Sequence, residues 1–105
     1  MDSRVKIIEP TGILDSTQAD SFRQQVDEAL GTDADKLLID LSNISFVDSS
    51  GLGALVMVLK KVRAANKEMF VCSINDQVRM LFELTSMDRV FKVLKDRDDF
   101  FEKVS

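Results

Sequence analysis

Apolar residues fall alternately into short runs and helically spaced stripes, which predicts strands and helices in turn. Residues 5–14 read as an early strand-like segment. Pro10 within it predicts an edge strand or a break, and Thr11-Gly12 can carry a kink or turn. Asp15-Ser16-Thr17 offers helix-capping side chains, and Ala19, Phe22, Val26, Ala29 and Leu30 follow at helical spacing up to Gly31, a suitable stop. Leu37-Leu38-Ile39-Asp40-Leu41 is nearly all apolar, the pattern of a strand covered on both faces. Ile44-Ser45-Phe46-Val47 continues it or forms a separate short strand.

A second helix is expected over 50–65 and a strand over 69–74. Asn75 or Asp76 can cap a third helix running to Leu84, with Val78, Leu81 and Phe82 inward. Val90 to Leu94 read as a last strand and 96–104 as a closing helix whose acidic start suits the helix dipole. Helical crossovers imply parallel neighbours. The expected class is α/β: one small domain over residues 1–105, a mostly parallel four-stranded sheet with about four helices packed on it.

Composition narrows the function. The 105 residues are 45% hydrophobic and 30% charged, with 14 Lys plus Arg against 18 Asp plus Glu and a net charge of −4. An acidic surface argues against nucleic acid as partner. No basic amphipathic helix points to a membrane surface. The longest uncharged apolar stretch, Leu52 to Leu59, is far short of the about 20 residues that span a bilayer. With Asp2 and Glu9 and no long apolar region, the N-terminal segment does not read as a secretory signal. Histidine is absent, which removes the commonest general base and most zinc sites. Cys72, the only cysteine, lies in an apolar run and reads as a small buried hydrophobe. The absence of disulfides fits a reducing cytoplasm. No metal or cofactor is expected.

The most unusual stretch is Phe46-Val47-Asp48-Ser49-Ser50-Gly51-Leu52-Gly53-Ala54-Leu55, where a strand hands over to a helix. One reading is structural: Asp48 or Ser49 caps the helix, and the glycines permit a turn and close packing. A phosphate-binding loop would need a lysine after its glycines, a dinucleotide fingerprint a third glycine at Val56, and a nucleophile elbow the order G-x-S-x-G; none is present. Ser49 is therefore a poor nucleophile of an enzyme, yet an exposed turn serine is a good acceptor of phosphate from one. On the following helix, Leu52, Leu55, Val56, Leu59 and Val62 form the stripe expected to face the sheet. Ser50, Ala54, Met57 and Ala64 then project outward with Lys61 beside them, leaving Ala54 and Met57 as spare apolar surface for a partner.

At Asp48-Ser49-Ser50-Gly51-Leu52-Gly53 the sequence resembles the STAS domain family, and within it the bacterial anti-anti-sigma factors. Thr11-Gly12-Ile13-Leu14-Asp15, Leu38-Ile39-Asp40-Leu41-Ser42, Val71-Cys72-Ser73-Ile74 and the run Val78 to Thr85 agree in order and spacing. The resemblance implies a small, mostly parallel sheet with helices and a phosphoacceptor at Ser49. It implies an anti-sigma serine kinase of the histidine-kinase-like ATPase fold as partner, bound by the unphosphorylated protein so that the sigma factor is freed. A PP2C-type phosphatase would reset the switch. Asp15, Asp48, Ser49, Ser50, Gly51, Gly53, Ala54 and Met57 form the expected partner surface. The sequence departs from the family pattern in two places. Many members have an extra strand before the one starting near Val5, and Ile13 stands where an acidic residue is frequent. Competing readings are a small-ligand or nucleotide sensor at the same turn, a switch acting on a target other than a sigma factor, and an enzyme using Asp15 and Asp48 as acid and base.

Overall fold

The structure, a computed structural model, describes residues 4–104. The first strand-like segment is two strands, β1 (Val5–Ile8) and β2 (Gly12–Leu14), that belong to different sheets. Pro10 supplies no N–H for a ladder, and Gly12 takes φ +85°, a left-handed conformation that glycine adopts without steric cost. Then come α1 (Ser16–Leu30), β3 (Lys36–Asp40), β4 (Ile44–Val47), α2 (Ser49–Ala64), β5 (Glu68–Cys72), α3 (Asp76–Leu84), β6 (Lys92–Leu94) and α4 (Arg97–Lys103).

The main sheet is four-stranded and wholly parallel, in the order β1-β3-β5-β6. Among the described residues β1 is its edge strand, in keeping with Pro10 just beyond it. β2 and β4 pair in parallel as a second, two-stranded sheet, with Ile13 opposite Phe46 and Leu14 opposite Val47. Ile44 to Val47 is thus a strand of its own, and this second sheet was not expected from the pattern. A 3-10 turn over Met87–Arg89 shortens the last strand to three residues.

Both faces of the main sheet are covered, which explains the apolar run in β3. Leu37 and Ile39 join a cluster with Phe22, Val26, Leu55, Val58, Val62 and Phe82 from α1, α2 and α3. Leu38 faces the other way, with Phe70, Cys72 and Phe100, under α4. Burying a side chain of this size stabilises the fold by about 1.5–3 kcal/mol. Cys72 is buried there, and desolvation pushes its thiol pKa up.

The inward arc of α2 differs from the predicted stripe. Gly51, Ala54, Leu55, Val58, Leu59 and Val62 are buried, while Leu52 and Val56 are only partly so. The helix packs on the sheet, on α1 and on β2 at once, so its buried arc is wider and turned by about one residue position.

Candidate functional site

The parallel topology brings the turns after β2, β4 and β5 to one end of the molecule, where α1, α2 and α3 begin. Each start carries the cap its sequence offers. Asp15 accepts hydrogen bonds from the backbone N–H groups of Thr17 (3.0 Å) and Gln18 (3.3 Å) and from the Thr17 hydroxyl (2.6 Å). The Thr17 hydroxyl chiefly, with these N–H groups, holds the Asp15 carboxyl below its ordinary range against partial desolvation. Asp48 Oδ1 accepts from Gly51 N–H at 2.8 Å, and its backbone oxygen accepts from Leu52 N–H. Asn75 Oδ1 accepts from Val78 N–H at 2.9 Å.

The second sheet is the platform on which these starts are fixed together. Asp48 N–H donates to the Leu14 carbonyl at 3.3 Å. Gly51 lies against the same carbonyl, so closely that an added Cβ would meet its oxygen at 2.0 Å. On the other side of β4, Gln77 acts as a substitute strand: its Nε2 donates to Val47 O at 2.8 Å and its Oε1 accepts from Val47 N–H at 2.9 Å. Asn75 Nδ2 donates to the carbonyls of Ile44 and Ser45. The strand leading into Ser49 is therefore held along both edges.

Ser49 opens α2 in an exposed position, and no described residue hydrogen-bonds its hydroxyl. Ser50, Gly53 and Met57 are exposed with it, Met57 at 52%. An added Cβ on Gly53 would meet nothing within 4 Å. Ala54, expected on this outward face, is only 2% exposed and belongs to the core. Gly51 is buried too, and its close approach is to Leu14 of the same chain. Both are removed from the expected partner surface, because α2 packs on α1, on the main sheet and on β2 at once. Two residues that the sequence reading did not place on an apolar surface join the exposed set: Ile13 (48%) and Phe46 (44%), opposite one another in the register. Strand alternation, with buried Leu14 and Val47 next to them, is the signal that could have found them.

A second polar cluster lies at the loops before β2 and β4. Asp40, 3% exposed, accepts from Arg97 Nε at 2.5 Å and from Ser42 N–H at 2.9 Å. Arg97 also donates to Glu9 at 2.7 Å, and Glu9 accepts from Asn43. Burial raises the Asp40 pKa, but Ser42 and Arg97 outweigh it and leave the carboxyl below its ordinary range. This cluster ties α4 to the loops that lead into β2 and β4. The sequence reading did not identify it, since Glu9, Asp40 and Arg97 are far apart in the chain.

Three surface clefts among the described residues hold about 150–240 Å³ each, and neither Ser49 nor Met57 lines any of them. Among the described residues no three acidic or cysteine side chains are grouped to hold a metal ion, and no helix is long and apolar enough to cross a membrane. What the site offers is an exposed hydroxyl on a rigid surface.

The STAS domain profile matches residues 2–103, and the chain belongs to the STAS domain family. It is similar to the anti-sigma F factor antagonist of Paenibacillus polymyxa, with 31% identity over 90 residues, covering 85% of this chain and 77% of the relative. The crystal structure of a candidate anti-sigma factor antagonist from Thermotoga maritima superposes with a TM-score of 0.86 at 30% identity, covering 95% of this chain and 86% of that one. The phosphorylated form of Bacillus SpoIIAA shares the fold, with a TM-score of 0.70 at 17% identity over 96% of this chain and 92% of that one. The expected α/β class, a parallel four-stranded sheet with helices packed on it, is the fold observed here and in these structural neighbours.

Proposed function

We propose that the chain is an anti-sigma factor antagonist, a binding module switched by phosphorylation of Ser49. Unphosphorylated, it binds an anti-sigma serine kinase of the histidine-kinase-like ATPase fold, and the sigma factor held by that kinase is freed. The kinase transfers the γ-phosphoryl group of ATP to the Ser49 oxygen, which gives up its proton, and ADP leaves. A PP2C-type phosphatase hydrolyses the ester and resets the switch. The setting is the cytoplasm, and catalysis belongs to the partners.

The observation that carries this reading is the exposed Ser49 hydroxyl, which no described residue hydrogen-bonds, at the first position of α2, beside Gly53 and Met57. The names of the relatives support the antagonist role. A phosphate there adds about −1.5 to −2 charges and three acceptor oxygens. The α2 N-terminus tolerates an anion, so the fold needs no change. A docked partner, however, would have to strip water from that dianion, and an uncompensated buried charge costs several kcal/mol. About 1.4 kcal/mol is already a tenfold loss of affinity.

The test uses the purified anti-sigma kinases of the source genome. The expected results are phosphoryl transfer mapped to Ser49 by mass spectrometry, lost binding for Ser49→Asp, and constitutive binding for Ser49→Ala. Equal binding by the two variants would remove Ser49 from the mechanism.

A further inference from the structure

We infer that Gln77 is a positioning residue for phosphoryl transfer to Ser49: by standing in for a strand beside Val47, it fixes the end of β4 from which the acceptor serine starts. This rests on the switch reading above and adds to it a residue that acts through the backbone of Val47. Only Asp48 separates Val47 from Ser49. The ladder of β4 with β2 is short, and its register shifts between Gly12 and Ile13. Two short strands by themselves are marginally stable at best in water. The start of α3 supplies the missing partner on the other edge. Gln77 Nε2 donates to Val47 O at 2.8 Å, and Gln77 Oε1 accepts from Val47 N–H at 2.9 Å. Val47 is wholly buried, so water does not readily replace those bonds. Asn75 Nδ2 adds bonds to Ile44 O at 3.3 Å and Ser45 O at 3.1 Å, while its Oδ1 caps α3 at Val78 N–H. One helix start thus clamps β4 at both its ends.

The clamp matters because the kinase must bring the Ser49 oxygen in line with the γ-phosphorus of ATP. A misplacement of about 1 Å can cost on the order of a hundredfold in rate. No described residue hydrogen-bonds the Ser49 hydroxyl, so the backbone on either side sets its place. On one side is α2, capped by Asp48 and anchored in the core through Leu55, Val58 and Val62. On the other is β4. Loss of Gln77 frees the strand end and leaves α2 anchored, and with it the exposed Ser50, Gly53 and Met57. Docking then persists while the hydroxyl is no longer held in line. An interaction that serves transition-state geometry and not docking lowers kcat and spares KM.

The experiment measures steady-state phosphorylation of wild type, Gln77→Ala, Gln77→Glu, Asn75→Asp and Phe100→Leu by the purified anti-sigma kinases of the source genome with ATP, at a temperature where circular dichroism shows every variant folded. Gln77→Ala should lower kcat at least about tenfold and keep KM within about threefold of wild type. Gln77→Glu keeps the acceptor for Val47 N–H and loses the donor, so its kcat should be intermediate. Asn75→Asp keeps the α3 cap and loses the bonds to Ile44 and Ser45, so its kcat should fall, but less than in Gln77→Ala. Phe100→Leu loses packing on the opposite face of the main sheet and controls for lost stability; its kcat should stay at the wild-type value. If wild type is phosphorylated on Ser49 and Gln77→Ala matches its kcat, or raises KM instead, or if Phe100→Leu falls as far, Gln77 does not position the serine and the switch stands. If no kinase phosphorylates wild type, the switch reading fails and this inference with it.

Discussion

Gly51 lies so close to Leu14 that an added methyl group would come to 2.0 Å from the Leu14 carbonyl oxygen and 2.8 Å from its carbonyl carbon. The contact joins the first turn of α2 to the end of β2. Gly51→Ala should therefore force the two apart and destabilise the protein by about 3 kcal/mol, within the range of severe overpacking. Gly53, two residues on, has open space around its α-carbon. Gly53→Ala should be neutral or add up to about 1 kcal/mol through helix propensity. Urea titration of both variants checks the contrast, and similar effects at the two glycines would refute the geometry.

Gln77 replaces a missing strand beside Val47, satisfying both its N–H and its carbonyl. Gln77→Ala should leave those backbone groups without protein partners and cost about 2 kcal/mol. Gln77→Glu keeps an acceptor and loses the donor, so its stability should fall between the two. Amide hydrogen exchange at Val47 should speed up in Gln77→Ala, and an unchanged rate would show that the side chain protects nothing.

Asp40 sets a pH dependence. Its folded pKa lies below the ordinary 3.8 because Ser42 and Arg97 outweigh the opposing effect of burial. A depressed carboxylate contributes stability above its unfolded pKa, and that contribution is lost as pH falls through the folded value. Asp15 and Asp99 are lowered too, and act with the same sign. Stability should thus drop below about pH 4. Asp40→Asn should cost about 2 kcal/mol at neutral pH and flatten that drop. Denaturation measured at neutral and acid pH checks this; an acid limb as steep as in wild type would exclude Asp40 as a contributor.

No described residue hydrogen-bonds the Ser49 hydroxyl. Ser49→Ala and Ser49→Asp should each stay within about 0.5 kcal/mol of wild type, the usual range for surface changes. Thermal melting and circular dichroism test this. A large loss of stability in Ser49→Asp would mean that the proposed switch, if it operates, acts through the fold instead of through partner binding.

The elements were legible in the chain because each is written locally. Fifteen residues with Ala19, Phe22, Val26 and Ala29 on one side, after Asp15, make α1 wherever it lies. Asp48, Asn75 and Asp96 all cap the helices that follow them. The all-apolar Leu37-Leu38-Ile39 announced a strand covered on both faces, and both are covered. The serine turn at a helix start could likewise be read from Asp48 to Gly53.

The tertiary structure alone decided which groups meet across the chain. It divided residues 5–14 between two sheets and set Ile13 against Phe46, since pairing joins strands some thirty residues apart. It turned Ala54 inward and Gly51 onto Leu14, because α2 is packed on three sides while helical periodicity records only an average face. It also assembled Glu9, Asp40 and Arg97. Capping and periodicity act over one or two turns and are recorded in adjacent residues, whereas long-range packing is chosen by the summed fit of all the elements.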